Sequence, residues 1–392
     1  MSESNRPYST HADGHYQDPV FGRIWIKDIT GMSATKKDLK GRYCPKLYTW
    51  LEVDMHGRAW MCCPSWLPYS IGNVLEESIE EMWNGEKAQT LRKQIFTGDW
   101  NYCQHEFCPE IASDNLPFIK DASHPIEKEI LSSETTIAPL PTNINFSNDE
   151  SCNLKCPSCR TDKLLFTEGP LYEKRKLIND KLVEEFLTEP TDRQFSIFVT
   201  GSGDPFASRI YREMLFDIDG KNFPNLQVNM QCNGVMFTPK NWEKIHKIHN
   251  NLGSVRISFD AGTKDTYENK TRLNGDWDLL LKNCDFLNEK QKQFPKFKIH
   301  YDFVVQVDNY TEMVDYATLI LDRYDMAADI NFSLVTDWGT WPKDVYEEKC
   351  IWKETHPEHD NFLQCLKDPI FKNPKIKLGN VHSYWKKANE EN

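Results

Sequence analysis

Residues 150–160 read ESCNLKCPSCR and place Cys152, Cys156 and Cys159 within eight positions of one another. A C-x3-C-x2-C spacing curls a short loop so that three sulfurs face one centre, as a metal or cluster site requires. A structural zinc site would want a fourth ligand, yet neither NDE before the run nor RTDKLLF after it supplies a cysteine or histidine. Three ligands with one open position is the natural reading, and a [4Fe-4S] cluster with one iron free to bind a further molecule fits it.

The rest of the chain bounds what such a site can serve. Its 392 residues are enough for two or three domains, or for one barrel with additions. A composition of 39% hydrophobic and 27% charged residues, with 12 Trp, 15 Tyr and 21 Phe, is that of a globular fold. The net charge of -12 gives no support for a nucleic-acid partner, because that affinity comes from Lys and Arg neutralising phosphates. The polar start MSESNRPYSTHADGHYQDPV has no apolar core of a signal peptide, and nowhere do eighteen apolar residues run together, so neither a membrane span nor export is expected. A cytoplasmic setting follows, where twelve cysteines are better explained by metal or redox roles than by disulfides.

Strands and helices alternate from about residue 140. The strand candidates are TNINFS (142–147), FSIFVT (195–200), LQVNMQC (226–232), SVRISFD (254–260), KIHYDFVVQV (298–307) and DINFSLV (329–335). Helical periodicity marks the intervals over 172–187, 241–249, 276–291 and 310–324. The pattern predicts an α/β fold, a partial (βα)6 TIM-like barrel over 140–335. Ahead of it lie a polar segment (1–43), a small cysteine-rich domain (44–120) and a linker (121–139); after it comes an extension (336–392) rich in Trp, Lys and Pro and without clear periodicity.

With the cysteines directly after the first of these strands, CNLKCPSC resembles the signature of the radical S-adenosylmethionine (radical SAM) enzymes. GSGDP (201–205) is similar to that family's GGEP motif after the second strand, with Ser for the first Gly and Asp for Glu. QCNGVMF (231–237) is similar to its TNG turn, and RISFDAG (256–262) to the stretch after its fourth strand. The resemblance implies that Ser202, Gly203 and Asp204 approach the methionyl amino group of SAM, and that Asn233, Ser258 and Arg272 approach its ribose and carboxylate. It implies reductive cleavage of SAM at the three-cysteine [4Fe-4S] cluster to give a 5′-deoxyadenosyl radical, fed by a reductase or a flavodoxin or ferredoxin donor. The substrate, a peptide or a small molecule, stays open.

A second set of cysteines lies in the front domain, with Cys44 and Cys62 bracketing Gly57, and Cys103 and Cys108 further on. Gly57 suits a tight hairpin turn that brings the first pair together. With IGNVLEESIEEMWN (71–84), the segment resembles the auxiliary-cluster modules called SPASM and twitch domains, here placed before the barrel. The resemblance implies one auxiliary [4Fe-4S] cluster on Cys44, Cys62, Cys103 and Cys108; a zinc site is the rival reading, since cysteines suit both. Adjacent Cys63 is read as a bystander. Cys232 and Cys284 read as core residues, and Cys350, Cys365, His356 and His359 match no metal spacing. A non-enzymatic alternative, an electron carrier or structural metal-binding protein, has no use for GSGDP and SFDAG at strand ends.

Overall fold

The computed structural model describes the strand backbones 15–18 and 22–25 and residues 37–105, 108–122 and 125–390. Most of the polar segment expected over 1–43 lies outside the described residues. The chain divides into two compact units, one of Met1–Asp149 with Pro170–Phe198 and the other of Glu150–Gly169 with Val199–Asn392.

In the first unit, β1 (His15–Asp18) and β2 (Gly22–Trp25) pair antiparallel. A second hairpin joins β3 (Trp50–Asp54) to β4 (Arg58–Trp60), and β5 (Gly72–Asn73) adds to its edge. Gly57 turns it at φ +85°, where an L side chain is strained. Asp54 Oδ1 accepts from the backbone N–H groups of His56 (2.9 Å) and Arg58 (3.0 Å), which fixes the turn. On the other edge, β3 pairs in parallel with β6 (Asn143–Ser147), Trp50 opposite Asn143 and Asp54 opposite Ser147. The order is β7-β6-β3-β4-β5, with β7 spanning Phe195–Val199. A strand of the front segment is thus the direct neighbour of the first expected barrel strand.

The run LEESIEEMWNGEKAQTLRKQIF (75–96) reads as one helix interrupted at Asn84 and Gly85, and the structure breaks there. It forms α1 (Ile79–Asn84) and α2 (Glu86–Thr97), separated by Gly85. Ser78 and Glu81 make a capping box: Ser78 Oγ accepts from Glu81 N–H, and the Glu81 carboxylate accepts from Ser78 N–H.

Arg92 on α2 is fully buried without an acid beside it. Its guanidinium donates to the carbonyls of Leu47 (2.8 Å), Trp83 (2.8 Å) and Thr136 (2.8 Å) and lies 4.6 Å from the Trp83 ring centroid. Burial pulls its pKa down to about 10, with Tyr48 opposing. One side chain therefore ties α2 to residues around 47 and to the segment near 136.

In the second unit, β8 (Leu226–Cys232), β9 (Leu252–Ser258), β10 (Lys298–Val305), β11 (Asp329–Leu334) and β12 (Ile376–Lys377) run parallel in sequence order. On the face that the helices cover, Val255, Ile257, Ile299, Tyr301, Phe303, Ile330 and Phe332 are fully buried. Tyr316 and Tyr324, at and just beyond the helix Met313–Arg323, cover them, Tyr324 stacking on Tyr301 at 5.1 Å. All six expected strands form, each followed by a helix, and the fold is the α/β partial barrel. Where the extension 336–392 promised no periodicity, the structure has helices Lys343–Lys349, His359–Cys365 and His382–Glu390, with β12 beside β11. Pieces of seven to nine residues are too short to display a helical period.

Replacing Arg92 with Met should leave three carbonyl acceptors buried without donors. Urea unfolding is expected to show a loss of about 3 kcal/mol.

Candidate functional site: a cysteine loop and a four-cysteine cavity

The loop after β6 is held at both ends. Cys152 N–H donates to Leu164 O (2.7 Å), Lys155 N–H to Leu273 O (2.9 Å), and a turn closes through Cys159 N–H and Arg160 N–H to Cys156 O. Thr340 Oγ donates to Pro157 O at 2.9 Å. Cys152 and Cys156 are buried and Cys159 is exposed. Burial pushes the Cys152 thiol up to about 12 and raises Cys156, with Arg160 and Arg272 respectively opposing.

Each of the three sulfurs meets a side-chain N–H donor. Asn233 Nδ2 lies 3.7 Å from Cys152 Sγ, Arg272 Nη1 3.5 Å from Cys156 Sγ, and Arg160 Nη2 3.3 Å from Cys159 Sγ. Asn233 is also bound by Asn153 Oδ1 at 2.9 Å, and its own Oδ1 accepts from Val235 N–H, turning the chain at Gly234. Arg272 pairs with Asp260 at 2.6 Å. Asp260 stands at φ +59°, a conformation disfavoured for a residue with a side chain, and Val304 N–H holds its other oxygen at 2.8 Å.

The residues assigned by resemblance to the SAM edge fall on this framework. Asp204 is buried, and its carboxylate accepts from the backbone N–H groups of Phe206 (3.0 Å), Ala207 (3.1 Å) and Asn233 (3.0 Å). Burial lifts its pKa, although these bonds and Arg160 pull it back. Asp204 thereby clasps the 201–207 loop to the turn after β8. Ser202 O accepts from Arg160 at 2.8 Å, Gly203 is half-buried, and Ser258 closes β9 in register with Asp302. The structure therefore brings Asp204, Asn233 and Arg272 to the cysteine loop.

Arg160 and Asp260 were missed. Arg160 is merely the residue after the third cysteine, and its bonds to Glu150 O (2.8 Å) and Ser202 O cross distances that no periodicity encodes. A second omission is the half-buried face of β9–β11 opposite the apolar one. There Arg256, His300 and Asp329 lie side by side in register, and Arg256 pairs with Asp302 at 2.6 Å. Parallel strands ordinarily bury apolar residues on both faces.

In the other unit, Cys44, Cys62, Cys103 and Cys108 line one cavity, walled by Leu47, Trp66, Leu67, Trp100, Ile111 and Leu116. Burial raises all four thiols, Cys44 to about 11. Cys108 starts the short helix Pro109–Ala112, and Gln94 hydrogen-bonds Cys103. Cys63 does not line the cavity. Buried His105 spends its ring on Lys37 N–H (3.1 Å) and Trp100 O (3.1 Å), so among the described residues the thiols are the ligand atoms that line the cavity. Among the described residues no group of three or more His, Cys, Asp or Glu stands as a ready site for a single ion.

Residues 150–313 match the sequence model of the radical SAM superfamily, and residues 44–109 match that of SPASM, an iron-sulfur cluster-binding domain. The chain carries a radical SAM domain. Its SPASM domain precedes it, and together they imply SAM, a [4Fe-4S] cluster and auxiliary iron-sulfur chemistry. Among solved structures, the FeFe-hydrogenase maturase HydG from Carboxydothermus hydrogenoformans is similar at 12% identity, over 50% of this chain and 45% of that one, with a TM-score of 0.32. A radical SAM methyltransferase from Sphaerobacter thermophilus is similar at 16% identity, over 46% and 52%, with a TM-score of 0.28. The chain spans about half the length of either. No curated protein matches the chain.

The residues fit these groups. Arg160 Nε and Arg272 Nε are buried donors without a partner beside the thiols of the radical SAM domain, an excess of donors that suits an anionic group among the sulfurs. In the SPASM domain, four thiols with apolar walls are a soft donor set, and loading it releases their protons. The remaining cysteines do other work: Cys232, Cys284 and Cys350 are buried, and Cys350 Sγ donates to Tyr346 O at 3.2 Å. No helix among the described residues is long and apolar enough to cross a membrane.

Glu52 on β3 gives a pH test of the packing here. Burial lifts its pKa to about 7, with Asn145, Trp50 and Ser147 opposing. The folded state holds this proton more tightly than the unfolded one, so the contribution to stability is full below about pH 4.5 and falls as pH rises to 7. Glu52→Gln should therefore gain about 2 kcal/mol over wild type at pH 8 and little at pH 4.5, read from denaturant midpoints.

Proposed function

We propose that the chain is a radical SAM enzyme of oxidoreductase or transferase type that modifies its substrate by hydrogen abstraction, assisted by one auxiliary cluster. In this reading Cys152, Cys156 and Cys159 hold the SAM-binding [4Fe-4S] cluster, and Cys44, Cys62, Cys103 and Cys108 hold the auxiliary one. The observation that carries it is the gathering of three thiols, each with its own N–H donor, inside a domain of the radical SAM superfamily. When bound, SAM and the reduced cluster supply a 5′-deoxyadenosyl radical. The chain's own groups orient and enclose: Asp204 fixes the spacing of two loops, and Asn233 and Arg272 hold the cysteine loop against the turns that follow β8 and β9. Ser202, Gly203 and Ser258 stand at loop and strand ends as the remaining SAM contacts.

The domain limits 44–120, 121–139, 140–335 and 336–392 are kept as part of this proposal, as are a cytoplasmic location and a flavodoxin, ferredoxin or reductase as donor. The charged face of Arg256, His300, Asp302 and Asp329 favours a polar, charge-bearing substrate, small molecule or peptide.

Anaerobic reconstitution with iron and sulfide, followed by SAM and dithionite, tests the reading. Wild type should release 5′-deoxyadenosine, Cys156→Ala should lose it, and Cys103→Ala should keep most of it while losing turnover of the true substrate. Absence of 5′-deoxyadenosine from wild type, with SAM unbound, would overturn the enzymatic reading in favour of a carrier or structural metal protein.

A further inference from the structure

The two arginines at the cysteine loop are anchored from behind. Arg272 Nη2 is fixed by Asp260 at 2.6 Å, leaving Nη1 to reach Cys156 Sγ at 3.5 Å. Arg160 is fixed by the carbonyls of Glu150 (2.8 Å) and Ser202 (2.8 Å), and its Nη2 also reaches Cys159 Sγ at 3.3 Å. Both side chains are largely buried, where a cation acts through a low dielectric.

We propose that Arg160 and Arg272 are positioning residues that set the reduction potential of the radical SAM cluster through N–H···S bonds to Cys159 and Cys156. The inference rests on the cluster assignment made above. It also gives Arg272 a role distinct from contact with the SAM carboxylate. Reduction adds one electron, here from dithionite, to a cluster already negative through its thiolates. Donors and cations at the sulfurs stabilise the more negative, reduced form and so raise the potential. Asp260, held in a left-handed conformation, aims one of the two guanidiniums.

The test is an EPR-monitored redox titration of the reconstituted full-length protein without SAM, following the signal that SAM addition perturbs. Arg272→Met and Arg160→Met should each disfavour the reduced form about tenfold, a shift of about 59 mV to lower potential for one electron. Arg272→Lys, which keeps a charge without the fork, should recover part of the shift, and Asp260→Asn should reproduce part of the Arg272→Met effect. Iron content per chain separates misfolding from tuning. If Arg272→Met leaves the potential unchanged while SAM binding weakens, Arg272 is a SAM ligand and the proposal falls for it. If both Met variants load iron and keep the wild-type potential, it falls entirely. Failure of wild type to show any SAM-perturbed signal would instead refute the cluster assignment.

Discussion

Burial raises the thiols of Cys152 and Cys156 and neighbouring thiolates repel one another, so this pair can ionise together only where donors or positive charge meet it. Much of the second unit can be seen as an answer to that constraint. The turn after β8 delivers Asn233, the end of the helical stretch 264–271 delivers Arg272, and the loop itself delivers the third donor, Arg160. Asp204 and Asp260 do not face open space; they spend their charge holding those turns and donors in place. A motif of eight residues thus depends on groups more than a hundred positions away.

The SPASM domain solves a different problem with the same side chain. Its thiols arrive from four places in the sequence, and apolar walls rather than arginines surround them. What draws the segment into shape is β3, with β4 on one edge and β6 on the other, and Arg92, which donates to the carbonyls of Leu47, Trp83 and Thr136. Fold and donor set are therefore coupled through the backbone that flanks Cys44 and Cys62.

How much of this was legible follows from what each signal encodes. Strands β6 to β11 announce themselves by short apolar runs between helical periods, and the break at Gly85 by a residue that cannot extend a helix cheaply. Cys152, Cys156 and Cys159 are legible because their spacing is local. Arg160 and Asp260 are not, because a lone Arg or Asp looks the same whether it is solvated or clasping a distant carbonyl. The parallel pairing of β3 with β6 escaped for the same reason: WLEVD reads as one arm of a hairpin, and nothing in it names a second partner. β12 is two residues long, below any pattern.

That pairing bears on how the chain is made. Synthesis runs from the amino terminus, so the β3–β4–β5 ribbon leaves the ribosome before β6, with one flank of β3 bare until Asn143 emerges about 90 residues later. At typical elongation rates the wait is on the order of 5–20 seconds. Through that interval the flank offers unpaired N–H and C=O groups to any passing strand. Glu52 and Asp54 on alternate positions of β3 give it two negative charges, and a nascent edge that is charged is a poor template for a stranger. The module that precedes the barrel in the chain is, in that sense, the bed on which the barrel's first strand is laid.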